Sequence, residues 1–268
     1  MSPRRADPEL GANLLEAAAR LLAEQGPSAL TTRKLAAAVG TSTMAVYTRF
    51  SGMDDLVRTL VHEGFRHLAA RMGEVGASAD PVADVAELGI AYRENALEHS
   101  HLYAVMFGGA TLVGFSLTEA DRQHGRYTLD ILVDAVARAV RAGRFSEPDP
   151  LLAAHRMWIA LHGLVTLELG GYLTAPYDAD TCFESQLRGL MSGAGDDAEA
   201  GAASIRRARD RRAARDPHAT GDPHAAGNPH ATRDPHATGD RQALVPGLTA
   251  GAHRRTAGED PPPMHAAS

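Results

Sequence analysis

The chain has 268 residues, 44% of them hydrophobic, and a formal net charge of −6, enough apolar material for a sizeable core in one or two domains. It holds no run of about 18 apolar residues, which argues against a membrane-spanning helix, and its opening MSPRRADPELG lacks the apolar stretch of a secretory signal. A single cysteine, Cys182, excludes an intramolecular disulfide and suits a reducing cytoplasm, the expected location.

Charge is unevenly spread. Residues 1–72 carry 9 basic and 7 acidic side chains, residues 73–199 carry 8 and 19, and residues 200–268 carry 10 and 7. A slightly basic head on a strongly acidic body suits an N-terminal region that approaches phosphates.

In chain order, Leu10, Leu14, Leu15, Ala18, Leu21 and Leu22 form a helical stripe that Gly26-Pro27 ends. Thr31 can cap a short helix reaching about Ala38, Gly40 breaks it, and Ser42 can cap a second one to about Thr48. Ser51-Gly-Met-Asp54 has the spacing of a capping box and opens a helix whose core stripe is Leu56, Leu60, Phe65, Leu68 and Met72. Residues 73–80 read as a linker, followed by helices over 81–99, 101–108, 117–142, 148–173 and 178–192, with Pro81 and Pro150 near two starts. The segment GGATLVGFSL, 108–117, fits either a lid or a broken helix.

From residue 196 the composition changes. A basic run, RRARDRRAARD at 206–216, precedes four six-residue units of the type DPHATG starting at Asp216, Asp222, Asn228 and Asp234. So few apolar side chains cannot offset chain entropy, so residues 196–268 are expected to be a disordered tail, its arginines solvated or weakly attracted to DNA. The repeat histidines 218, 224, 230 and 236 read as a tandem duplication rather than a metal site.

The predicted class is therefore all-α, divided into a helix-turn-helix domain at 1–52, a connecting helix and linker at 53–80, a helical body at 81–195 and the tail. In the helix pair, Leu35, Ala36 and Val46 face inward while Thr43, Met44, Tyr47 and Thr48 stay outside. Hydroxyls and an aromatic on so short a helix suit contact with a polar duplex.

LTTRKLAAAVGTSTMAVYTRF, residues 30–50, resembles the DNA-binding segment of the tetracycline-repressor (TetR) family of bacterial regulators. The family pattern L-x-x-R-x-L-A-x-x-x-G-V-S-x-x-x-L-Y-x-x-F is matched at nearly every key position, with Thr41 for Val and Val46 for Leu. The resemblance implies that Arg33 reads guanine and that Thr43, Met44 and Ala45 face bases. It also implies phosphate contacts from Thr32, Tyr47, Thr48 and Arg49, with Ser42 at the head of the reading helix. Met53 stands where the family often has Lys, a lost charge that Lys34 or the Arg4-Arg5 arm can replace.

The resemblance further implies a homodimer on a palindromic operator, released by a small-molecule effector. Trp158-Ile-Ala-Leu-His162-Gly163 is similar to the Trp-His-Gly signature of one class of TetR C-terminal domains. On that reading Val165, Leu169, Phe183, Leu187, Leu190 and Met191 form the dimer seam. Tyr92, Tyr103, Met106, Phe107, Phe115, Tyr127, Trp158 and His162 are candidates for a pocket, and their mixed aromatic lining suits a largely apolar ligand. No catalytic motif is found, no cofactor is implied, and His155, His162, His99 and His101 lack the spacing of a zinc site.

Overall fold

The structure, a computed structural model, describes residues 8–107, 114–115, 118–123 and 125–215. Its elements are helices: α1 (Pro8–Gln25), α2 (Thr32–Val39), α3 (Thr43–Arg49), α4 (Met53–Gly73), α5 (Pro81–Glu98), α6 (Ser100–Met106), α7 (Glu119–Gln123), α8 (Arg126–Arg141), α9 (Pro150–Leu169), α10 (Ala179–Gly193) and α11 (Ala198–Arg215). Among the described residues there is no strand, and no helix is long and apolar enough to cross a membrane.

Side chains cap the long helices. Asp80 accepts the Ala83 N–H and Asp149 accepts those of Leu151 and Leu152, each just before the proline that opens α5 and α9. At α4 the expected capping box is shifted by one residue. Ser51 donates both its N–H and its hydroxyl to Asp55 at 3.1 Å, so Asp55 rather than Asp54 closes the turn. The predicted helix over 117–142 is interrupted, with Gly125 separating α7 from α8.

The head is α1–α3, built on Leu14, Leu22, Leu35, Val46 and Leu56, all fully buried. Its α1 packs on α4 and α6, and α4 in turn packs on α5, α6 and α8, so α4 belongs to head and body alike. The predicted α4 stripe of Leu56, Leu60, Phe65, Leu68 and Met72 is buried throughout.

Disorder from residue 196 is overturned for Ala198–Arg215, which form α11 against α5. Apolar burial alone does not explain it, since Ile205 and Ala208 are its main core side chains. Charge does the rest. Arg207 reaches Asp80 at 2.6 Å, Arg211 reaches Asp84 at 3.0 Å, Arg212 reaches Glu94 at 2.6 Å and Arg215 reaches Glu87 at 2.5 Å. The run read as solvated is thus a clasp on acidic α5. The Arg4-Arg5 arm, most of the 108–117 segment and the histidine repeats lie outside the described residues.

Candidate DNA-reading head and ligand cavity

The Thr31 hydroxyl accepts the Lys34 N–H at 3.2 Å and starts α2. Gly40 ends it in the left-handed region at φ 69°, where a Cβ costs roughly 1–2 kcal/mol. Ser42 then caps α3 by accepting the Ala45 N–H at 3.2 Å. With Val46 buried against the head core, the opposite face of α3 must point outward. Met44 is 71% exposed and Tyr47 58%, and Thr43, Thr48 and Arg49 are exposed beside them. Large apolar side chains so displayed on a seven-residue helix mark a contact surface.

The two helices are tied at their outer ends, where the Thr32 hydroxyl donates to the Tyr47 oxygen at 3.3 Å. Thr48 donates its hydroxyl hydrogen to the Met44 carbonyl at 2.8 Å, inside its own helix. Arg33 and Lys34 are exposed, and among the described residues their side chains have no partner. Arg49 lies across α1, close enough that a Cβ on Gly11 would fall 2.5 Å from its Nη2. That glycine seats the arginine, a role the sequence pattern did not reveal.

In the body, a cavity of about 830 Å³ opens between α4, α5, α6, α8, α9 and α10. Of the predicted pocket residues, Tyr92, Met106, Phe107, Phe115 and Trp158 line it. Phe107 centres an aromatic cluster, 4.4 Å from the His162 ring, 5.3 Å from Tyr103 and 5.6 Å from Phe65 between centroids. Tyr103 and His162 stand behind the wall. The Tyr103 hydroxyl lies 2.7 Å from His162 Nδ1 and 2.9 Å from the Tyr92 hydroxyl. Burial pushes the Tyr92 phenol up to about 12 and the Tyr103 phenol up as well, and it pulls the His162 imidazole down, so the cluster is neutral at physiological pH. Tyr127 is corrected: it is 39% exposed, because α8 turns Thr128, Leu129 and Leu132 to the cavity instead.

The predicted dimer seam needs a larger correction. Phe183, Leu187, Leu190 and Met191 line the cavity, and Val165 is fully buried within the subunit. Their stripe was legible, and within the subunit it faces the cavity. Leu169, at 36%, does reach the surface. Besides Leu169, α9 turns Leu151, Leu152, Ile159 and Leu167 outward, exposed by 42%, 50%, 60% and 47%. Gly163 and Gly189 add open space on the outside of α9 and α10.

The cavity also touches the head's mechanical base. Asp121 of α7 lines it, and its carboxylate meets Arg58 Nε at 3.1 Å and His62 Nε2 at 3.6 Å, both on α4. Hydrogen bonds from the Thr118 N–H and hydroxyl, with Arg58, hold the Asp121 carboxyl down at about 2.

Comparison with known proteins finds matches in both parts of the chain. A family model described as bacterial regulatory proteins, tetR family, matches residues 14–60, and one described as tetracyclin repressor-like, C-terminal domain, matches residues 85–190. A protein of unknown function from Rhodococcus sp. RHA1 is 26% identical, with a TM-score of 0.58 over 70% of this chain and 96% of its own. PfmR, a TetR family transcriptional regulator from Thermus thermophilus, is 20% identical, with a TM-score of 0.55 over 69% and 99%. RolR, solved in complex with resorcinol, is 16% identical, with a TM-score of 0.51 over 75% and 94%. A search of the curated proteins finds no match.

Proposed function

Because the chain belongs to the TetR family of bacterial DNA-binding transcriptional regulators, we propose that it is a repressor that grips a palindromic operator as a homodimer and releases it when a small molecule fills the body cavity. The observation that carries this is the α2–α3 pair, an outward reading face set rigidly on a buried core by the Thr31 and Ser42 caps and the left-handed Gly40. Arg33 is placed to read guanine O6 and N7. Thr43, Met44 and Ala45 face base edges, and Lys34, Tyr47 and Arg49 reach phosphates. Thr32 and Thr48 join them only by turning their hydroxyls from Tyr47 and Met44 to the backbone of the duplex. The α4 N-terminus, where Met53 supplies no charge, offers backbone N–H groups to a phosphate.

The seam of the dimer is the outer surface of α9 and α10, with Leu152, Ile159 and Leu167 meeting their copies across Gly163 and Gly189. Two readers then sit about 34–36 Å apart, one turn of duplex. A largely apolar effector among Phe107, Trp158 and Phe183 shifts α7, and Asp121 passes the shift to Arg58 and His62 on α4. RolR's complex with resorcinol supports a small organic molecule as effector. The test is footprinting of the DNA beside the coding region with purified protein, together with sedimentation. Protection of a palindrome by a dimer is expected. A strictly monomeric protein, or one that ignores every duplex at low salt, overturns the proposal.

A further inference from the structure

The outward face of α3 is poor in hydrogen-bonding groups. From Thr43 to Thr48 the helix holds no charged and no amide side chain. Thr43 offers one hydroxyl and one methyl. The Thr48 hydroxyl is spent on the Met44 carbonyl, and the Tyr47 oxygen accepts from Thr32. Arg49, the one cation of α3, lies back over Gly11 of α1. What projects furthest is Met44, at 71% the most exposed large apolar side chain of the head. Two residues separate it from buried Val46, a turn of about 200° that sets the two on opposite sides of the helix.

Paired hydrogen bonds to guanine or adenine in the major groove need Arg, Lys, Asn or Gln. Within α2 and α3 those types are Arg33, Lys34 and the withdrawn Arg49. Reading from α3 is therefore left to apolar contact. Of the four standard bases only thymine carries an apolar group in that groove, its 5-methyl. A flexible, unbranched thioether is suited to cover it. Resting on the reading of α3 as the helix that lies in the major groove, we propose that Met44 is a specificity-determining residue that selects thymine by covering its 5-methyl group. Each operator half-site then pairs a guanine read from α2 with a thymine read from α3.

The full chain is used to select duplexes from a random pool at low salt, and a fixed thymine is expected in each half-site. Replacing that thymine by uracil deletes the methyl and keeps every hydrogen-bonding group. Binding is expected to weaken about fourfold per half-site, the fold-change for leaving roughly one methyl group in water. Met44→Ala and Met44→Gln, the second keeping the length but not the apolar tip, are expected to bind the thymine and uracil duplexes alike. Both variants should unfold at the parent's temperature, because the side chain is exposed. Half-sites with no fixed thymine, uracil tolerated at every one, or a uracil penalty that persists in either variant overturns the inference while leaving the head a DNA reader. If no duplex is enriched at all, the reading of the head itself falls.

Discussion

In the head, Arg33 stands exposed with no side-chain partner among the described residues, whereas along α11 Arg207, Arg209, Arg211, Arg212 and Arg215 each meet a carboxylate. By density of charge α11 looks like the better polyanion binder, with six arginines in 18 residues. The structure reverses that order. Asp84 and Glu87 on α5 are wholly buried, and they require cations the way a core requires apolar cover. An arginine is available to DNA when nothing nearer neutralises it, which composition does not reveal.

The comparison breaks most visibly if α11 is removed. A chain ending at Asp197 takes Arg211 and Arg215 from Glu87 and Arg211 from Asp84, which keeps Arg138, and strips the packing of Ile205 and Ala208, so it is expected to unfold at a clearly lower temperature. Thermal unfolding measures it, and the folded remainder should still bind operator DNA with an unchanged salt slope.

Acid acts on the same contacts. Burial alone would raise the Asp80 and Asp84 carboxyls, but hydrogen bonds from Ala83, Ser204 and Arg207, and from Ser78, Arg138 and Arg211, outweigh it and hold both below the usual aspartate value. A folded value below the unfolded one gives stability that is complete above the unfolded value of about 3.9 and lost as pH falls through the folded values. The Tm difference between the full and shortened chains is therefore expected to stay level from neutral pH to about pH 4 and to shrink below it.

On the head side, Arg33→Ala should weaken operator binding by about 1–3 kcal/mol and relax one base position, with Tm unchanged. Binding titrations against single-base operator variants check this. Gly40→Ala should lower stability by roughly 1–2 kcal/mol through its left-handed backbone, measured by denaturant unfolding. The smallest effect sharpens the comparison. Arg206, exposed and without a partner among the described residues, should change stability by less than about 0.5 kcal/mol when replaced by Ala.

The head was legible because its determinants are local. Thr31, Gly40 and Ser42 act within four residues of themselves, and both caps and the turn are where the residue types place them. The capping box slipped from Asp54 to Asp55, whose carboxylate takes both the Ser51 N–H and hydroxyl. The α10 stripe was visible, but its destination was not. Phe183, Leu187 and Met191 could face a partner or a cavity, and that choice depends on α5 and α9 packing. Nothing local announces α11, since its partners on and before α5 lie more than 100 residues earlier and its apolar face is little more than Ile205 and Ala208.

Burial of one partner in several α11 pairs has a practical consequence. Mobile ions screen surface attractions within roughly 10 Å at 0.1 M but hardly reach the wholly buried Asp84 and Glu87 carboxylates that Arg211 meets. A salt gradient that elutes this protein from heparin or duplex resin should therefore deliver it with its C-terminal strap still fastened.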